Sequence, residues 1–146
     1  MMSETAFWDT SAVVPLCCRQ AASGVAQRLA RRYSRMVVWW GTRIEAYGAL
    51  TRLHREGALT ESSLRQTRAR LSVLSRAWSE VLPVESVREQ AEELLARYKI
   101  RAADALQLAA ALVWCQGRPP HRAFVCFDER LGEAASQIGF EVAGVR

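Results

Sequence analysis

The run Ala6-Phe7-Trp8-Asp9-Thr10-Ser11 constrains this chain more than any other stretch. Consecutive apolar residues without alternation read as a strand buried on both faces, the signature of a parallel sheet covered by helices on either side. In open α/β sheets, ligands gather beyond the carboxyl ends of such strands. The run stops at a carboxylate, so Asp9 is expected at that edge. A second apolar run, Ala123-Phe124-Val125-Cys126-Phe127, stops in the same way at Asp128. The chain contains only three aspartates, Asp9, Asp104 and Asp128, and each falls where a strand or loop hands over to a helix.

Between these runs, strand and helix signals alternate. Val25, Leu29 and Ala30 predict the inward face of a helix over 21–33, and Met36-Val37-Val38-Trp39 a second strand. Gly41 breaks that strand. Thr42-Arg43-Ile44-Glu45 then has the S/T-x-x-E form of a capping box, opening a helix that runs through Ile44, Ala49 and Leu53 to Gly57. Thr60 and Glu61 start a further helix with Leu64, Leu71, Leu74 and Trp78 inward, so the two should form a hairpin across Gly57-Ala58-Leu59. Val81 to Val84 predicts a short strand whose Pro83 points to a sheet edge. Helices over 85–98, 101–115 and 129–138 and a last strand over 140–143 follow. Alternation of this kind implies right-handed crossovers and a mainly parallel sheet covered on both faces.

At 146 residues, half of them hydrophobic, the chain fits one compact domain over residues 1–146. The formal charge of +5 is carried almost wholly by arginine, since Lys99 is the only lysine. The guanidinium fork matches phosphate oxygens, so the balance permits a nucleic-acid partner. Cys17, Cys18, Cys115 and Cys126 have neither metal-site nor disulfide spacing, and Cys115 and Cys126 are expected as core thiols of a reducing cytosol. Met1 to Thr5 lacks the features of a signal peptide, and the longest apolar run, Leu108 to Cys115, is too short to cross a bilayer. The expectation is a cytoplasmic protein with no membrane partner. His54 and His121 read as exposed helix and loop residues, and there is no Gly-rich phosphate loop.

Each acid has a structural role open to it. Asp9 could turn the chain with Thr10 and Ser11, Glu45 could close its capping box, Asp104 suits a helix N-terminus, and Asp128 suits an N-cap. Yet a cap needs no particular location in the fold, whereas Asp9 and Asp128 both follow strands expected to lie side by side at the sheet centre. With Glu45 and Asp104 facing the same edge, four carboxylates would converge. Two such charges about 4 Å apart repel by roughly 4 kcal/mol at an effective dielectric near 20, so something positive must offset them. An all-oxygen site suits Mg²⁺ or Mn²⁺, which can activate water and stabilise a phosphodiester under attack.

In order and spacing, W-D-T-S-A at Trp8–Ala12, I-E at Ile44–Glu45, R-A-A-D-A-L-Q-L-A-A-A at Arg101–Ala111 and F-D-E-R-L-G-E-A-A at Phe127–Ala135 resemble the PIN-domain ribonucleases, and within them the VapC-type toxins of toxin-antitoxin pairs. The resemblance spans nearly the whole chain. It implies a three-layer α/β/α PIN-like sandwich with a central, mainly parallel sheet of about five strands, and a metal-dependent endoribonuclease. It implies Asp9, Glu45, Asp104 and Asp128 as the catalytic quartet, with Asp9, Asp104 and Asp128 binding Mg²⁺ or Mn²⁺. Thr10 or Ser11 matches the small hydroxyl beside the first aspartate. These two, with Arg101 one helical turn before Asp104, are the candidate RNA contacts. The implied partners are RNA, a small antitoxin that docks on the helical hairpin, and a second copy of the chain. A housekeeping RNA-processing nuclease and a non-catalytic α/β binding module are the alternatives. Two departures stand out: family members often carry Thr or Ser where this chain has Cys126, and some carry a further downstream Asp for which only Glu129 is nearby.

Overall fold

The computed structural model describes residues 4–145; Met1–Ser3, where part of the N-terminal reading falls, and Arg146 lie outside the described residues. In chain order the elements are β1 (Thr5–Trp8), α1 (Thr10–Cys17), α2 (Ser23–Arg32), β2 (Arg35–Trp39), α3 (Thr42–Arg55), α4 (Glu61–Ala77), β3 (Ser79–Val81), α5 (Glu85–Arg97), α6 (Ala102–Trp114), β4 (Ala123–Cys126), α7 (Glu129–Ile138) and β5 (Glu141–Gly144). The five strands form one sheet in the order β3-β2-β1-β4-β5, and every pairing is parallel.

The strand periodicity of two divides the interior into a core on each face of the sheet. Phe7, Val37, Trp39, Phe124 and Cys126 face α5, α6 and α7, while Ala6, Trp8, Val38, Ala123 and Val125 face α1, α3 and α4. The result is a three-layer α/β/α sandwich of the PIN-like kind. Phe7 lies opposite Phe124 in register and stacks on it at 5.4 Å, and Phe124 meets Phe140 at 5.5 Å. Such pairs contribute about 0.5–1.5 kcal/mol each beyond their buried area. On the same face Ala105, Ala109, Ala110 and Ala111 of α6 are fully buried, because small side chains let the helix lie close against its neighbours. Among the described residues, no helix is long and apolar enough to cross a membrane.

Several local expectations shift. On α2 Ala26 is the buried residue and Leu29 and Ala30 pack half-buried against the core as expected, but Val25 is exposed. The edge strand β3 lies at Ser79–Val81, just before Leu82 and Pro83, because its partners Val37 to Trp39 pair with that earlier register. The capping box at Thr42 does not form: Gly41 is the N-cap, Thr42 is buried inside the first turn, and Ile44 points outward at 72% exposure. By contrast Thr60 caps α4 by accepting a hydrogen bond from the Ser63 amide at 3.0 Å. The α3–α4 hairpin is present, and its link turns at Gly57 with φ +83.

From β1 the chain steps through β2 to β3, then returns across the sheet to β4 and β5. The order reverses between β1 and β4, and this is the switch point at which open α/β sheets leave a crevice. At its rim Gly144 ends β5 with φ +109; a Cβ there would stand 2.7 Å from the Cys126 carbonyl oxygen and 3.2 Å from the Phe127 ring. Gly144→Ala should therefore destabilise the fold by roughly 1–3 kcal/mol. Urea denaturation would register this as a lower midpoint at unchanged slope, whereas a wild-type midpoint would mean that the strand end moves aside freely.

Candidate active site

Asp9 and Asp128 follow neighbouring strands, Asp9 directly after β1 and Asp128 beyond β4 with Phe127 between. The Asp9 amide continues the ladder by donating to the Val125 carbonyl at 3.1 Å, and Asp9 is the N-cap of α1. Asp128 follows β4 by one residue and caps α7, its Oδ1 accepting from the Leu131 amide at 3.1 Å. Their structural roles as caps are thus real, and they coexist with a shared location. Asp104 sits in the first turn of α6, where the Arg101 amide hydrogen-bonds to it.

The three aspartates differ in how much water they see. Asp9 is buried, and Asp128 is exposed. Burial pushes the Asp9 carboxyl from its ordinary 3.8 up to about 7; the Ser11 hydroxyl and amide and the Cys126 thiol oppose this, and the Asp128 charge adds to it. Burial likewise raises Asp104, against the pull of the Arg101 amide, and the Asp128 charge raises it further, while Arg101 and Arg130 lower it. Asp128 is therefore the charge that both other aspartates feel. Ser11 Oγ donates to Asp9 Oδ1 at 2.8 Å and accepts from the Phe127 amide at 2.8 Å, so it ties the ends of β1 and β4 together.

Cys126 takes over the hydrogen-bonding expected of a hydroxyl. Its Sγ lies 3.3 Å from the Asp128 amide, which donates to it, and 3.2 Å from the Asp128 carbonyl, to which it donates; Ser11 Oγ is 3.9 Å away. Burial, with the Asp9 charge, pushes the thiol well above its usual range, so it stays protonated and remains a donor.

Glu45 belongs to a separate but adjoining group. Its Oε1 accepts from Thr10 Oγ1 at 2.5 Å and from Gln107 Nε2 at 2.8 Å. The same Nε2 is 3.0 Å from Thr10 Oγ1 and 3.0 Å from Thr42 Oγ1. This network is what displaces the capping box: Thr42 and Glu45 turn toward α6 instead of toward each other. The Thr10 and Ser11 hydroxyls, candidate RNA contacts by sequence, are both engaged with carboxylates of the site.

Beyond the strand ends opens a cleft of ≈ 1450 Å³ lined by Arg101, Asp104, Phe127, Asp128, Glu129 and Arg130, among others. Arg101 and Arg130 enter no ion pair among the described residues. Gln107, Thr42 and Arg130 are the participants that sequence reasoning missed. For Gln107 a signal existed, as a lone amide one turn beyond Asp104 in an otherwise apolar helix; nothing singled out Arg130.

Among the described residues, no three His, Cys, Asp or Glu side chains stand close enough to hold one metal ion as they are. The donor chemistry nevertheless fits a hard divalent cation. Asp9, Asp104 and Asp128 offer only oxygen, and buried Asp9 is flanked by hydrogen-bond donors and another acid, with no cationic side chain among the groups that act on it. A carboxylate so placed takes up either a proton or a cation.

No family model and no curated protein matches the chain. Solved structures do, over nearly its whole length. VapC20 of Mycobacterium tuberculosis, a sarcin-ricin loop cleaving toxin, is 22% identical, with 94% of this chain and 97% of that one covered at a TM-score of 0.67. A toxin-antitoxin complex from Klebsiella pneumoniae is 16% identical, covering 97% and 96% at 0.63. FitAcB from Neisseria gonorrhoeae is 15% identical, covering 94% and 96% at 0.64. At these identities the likeness is one of fold: this chain has the PIN-like fold of those toxin structures.

The raised Asp9 carboxyl makes stability pH-dependent with a definite sign. The folded protein keeps this proton up to about pH 7, while the unfolded chain loses it near 3.8, so the unfolded state binds fewer protons across that window. Stability from this group is full below pH 4 and is lost toward pH 7, at roughly 1 kcal/mol per pH unit. In the presence of chelator, wild type should lose stability more steeply than Asp9→Asn between pH 4.5 and 7. Equal slopes in the two proteins would assign the proton elsewhere.

Proposed function

We propose that this protein is a VapC-type PIN-domain endoribonuclease, the toxin of a toxin-antitoxin pair, dependent on Mg²⁺ or Mn²⁺. What supports this reading is that Asp9 and Asp128 follow the adjacent strands β1 and β4 and that the Asp128 charge acts on both Asp9 and Asp104, in a fold shared along its length with toxin structures. Asp9, Asp104 and Asp128 are the residues that would hold the cation. When bound, it supplies Lewis-acid stabilisation of the charge that develops on the phosphodiester.

The chain's own groups supply the rest. Asp128, exposed at the cleft, meets the substrate side of the site, while Asp9 anchors it from beneath. Glu45, held through Oε1, orients the attacking water or accepts its proton. Arg101 and Arg130, both lining the cleft, hold the RNA backbone through phosphate oxygens. Trp40, Ile44 and Tyr47 at the start of the hairpin and Val73 on α4 are exposed apolar residues that suit docking of an antitoxin segment or a second copy. An antitoxin arginine paired with the acids would block the cation's position.

Asp128→Asn tests the reading, because Asn caps a helix about as well as Asp and the fold should persist. Cleavage of a mixed RNA pool with Mn²⁺ should disappear in this variant and in wild type treated with chelator. Full cleavage by purified Asp128→Asn would remove the acid from catalysis. Mn²⁺ should also raise the melting temperature of wild type and leave Asp104→Asn unchanged. Equal shifts in both proteins would mean a nonspecific ion effect. RNA affinity should fall with salt, and Arg101→Ala or Arg130→Ala should each lower that slope by about one phosphate contact. A variant with the wild-type slope leaves the RNA path. If the chain is harmless when expressed alone in an active form, the housekeeping-nuclease reading takes its place.

A further inference from the structure

Gln107 is costly for the core and is held there by the site. Its neighbours Ala105, Leu108, Ala109, Ala110 and Ala111 are fully buried and apolar, and an apolar side chain at 107 would serve that packing well. Instead an amide is buried at 3% exposure, with its Oε1 left without a hydrogen-bond partner. Orphaned buried acceptors are disfavoured, so an unpaired one marks a group kept for another reason. The other end of the amide is fully engaged: Nε2 reaches Glu45 Oε1, Thr10 Oγ1 and Thr42 Oγ1 at 2.8, 3.0 and 3.0 Å.

The orientation of that amide follows from Glu45. Turned over, the carbonyl oxygen would face a carboxylate oxygen at hydrogen-bond distance, acceptor against acceptor, so the geometry selects the donor. Thr10 spends its own proton on Glu45 Oε1 and therefore accepts from Gln107. Two donors, one from α1 and one from α6, thus converge on a single oxygen of an acid that belongs to α3. Glu45 itself is half-buried, anchored at Oε1 and not enclosed.

We infer that Gln107 is a positioning residue: with Thr10 it anchors Glu45 by Oε1, so that the rest of the carboxylate is held in one fixed attitude beside the end of β1. This rests on the nuclease reading only for what Glu45 does once it is held. Gln107 touches neither RNA nor cation and acts through Glu45 alone. A side chain fixed in this way loses no conformational freedom when the substrate arrives, and a misplacement of about 1 Å at a reacting group can cost a hundredfold in rate.

The test uses the full chain and four variants: Gln107→Met, which keeps length and removes the donor; Gln107→Glu, which keeps shape and sets a second acid against Glu45; Glu45→Gln; and the Gln107→Met/Glu45→Gln pair. In RNA cleavage, Gln107→Met should lower kcat by about tenfold or more with KM within about twofold, at a melting temperature near wild type. Gln107→Glu should lose at least as much. In the Glu45→Gln background, Gln107→Met should cost nothing further. Equal losses in both backgrounds, or an unchanged kcat, would overturn the assignment. A second readout needs neither activity nor a folded variant at 107. In ¹⁵N NMR of wild type, the Gln107 side-chain amide protons should exchange slowly, and Glu45→Gln should shift them. If wild type cuts no RNA, the nuclease reading fails and this measurement still decides the anchor. Exchange as fast as that of surface glutamines, or indifference to Glu45→Gln, would dismiss it.

Discussion

The parallel pairing of β1 with β4 is the contact from which the site is built. Its register sets Trp8 against Val125, and the Asp9 amide adds one more rung to the ladder. Both strands run the same way and end within one residue of each other, so Asp9 and Asp128 leave the sheet at the same edge. Ser11 then closes the join, donating to Asp9 and accepting from Phe127. The sheet has to reverse its strand order at this pair, and that reversal sends helices to opposite faces and leaves the crevice open. Caps for α1 and α7 follow as by-products of the same aspartates.

Electrostatics divides the acids into two groups with different supports. Asp9 is buried and keeps hydrogen bonds from the Ser11 amide and hydroxyl in compensation; desolvation outweighs them, which is why the carboxyl rises. Glu45 sits with a hydroxyl and an amide directed at one oxygen. The first arrangement stores an unmet demand for positive charge, and the second fixes a direction. A proton or a cation can meet the demand, and Arg101 and Arg130 line the cleft without entering ion pairs of their own among the described residues.

Cys126 makes the backbone contacts that a hydroxyl could make at the turn after β4. A thiol is a weaker hydrogen-bonding group than a hydroxyl, but burial keeps it protonated, and its geometry lets it bond to both the amide and the carbonyl of Asp128. The turn after β4 is held by sulfur, and Gly144 of β5 packs its backbone against the Cys126 carbonyl.

Six of the seven helices among the described residues, the strands to within a few residues, the three aspartates and the caps at Thr60 and Asp128 were legible in the sequence, because each rests on local chemistry: apolar runs, periodicity, and short polar side chains at helix starts; α1, a short helix with Pro15 inside it, was not. The Thr42-Arg43-Ile44-Glu45 segment was not. Locally it is a capping box, and only the approach of α1 and α6 turns Thr42 and Glu45 toward Gln107 and leaves Ile44 outside. The same holds for Gln107, whose donors mean nothing until residues 10, 42 and 45 are brought within 3.0 Å of it. The raised Asp9 carboxyl is likewise a product of burial between layers. The sequence by itself determined which groups end which strands. Tertiary packing decided which acids lose their water and which gain donors, because desolvation and long-range hydrogen bonds depend on neighbours that local sequence does not name.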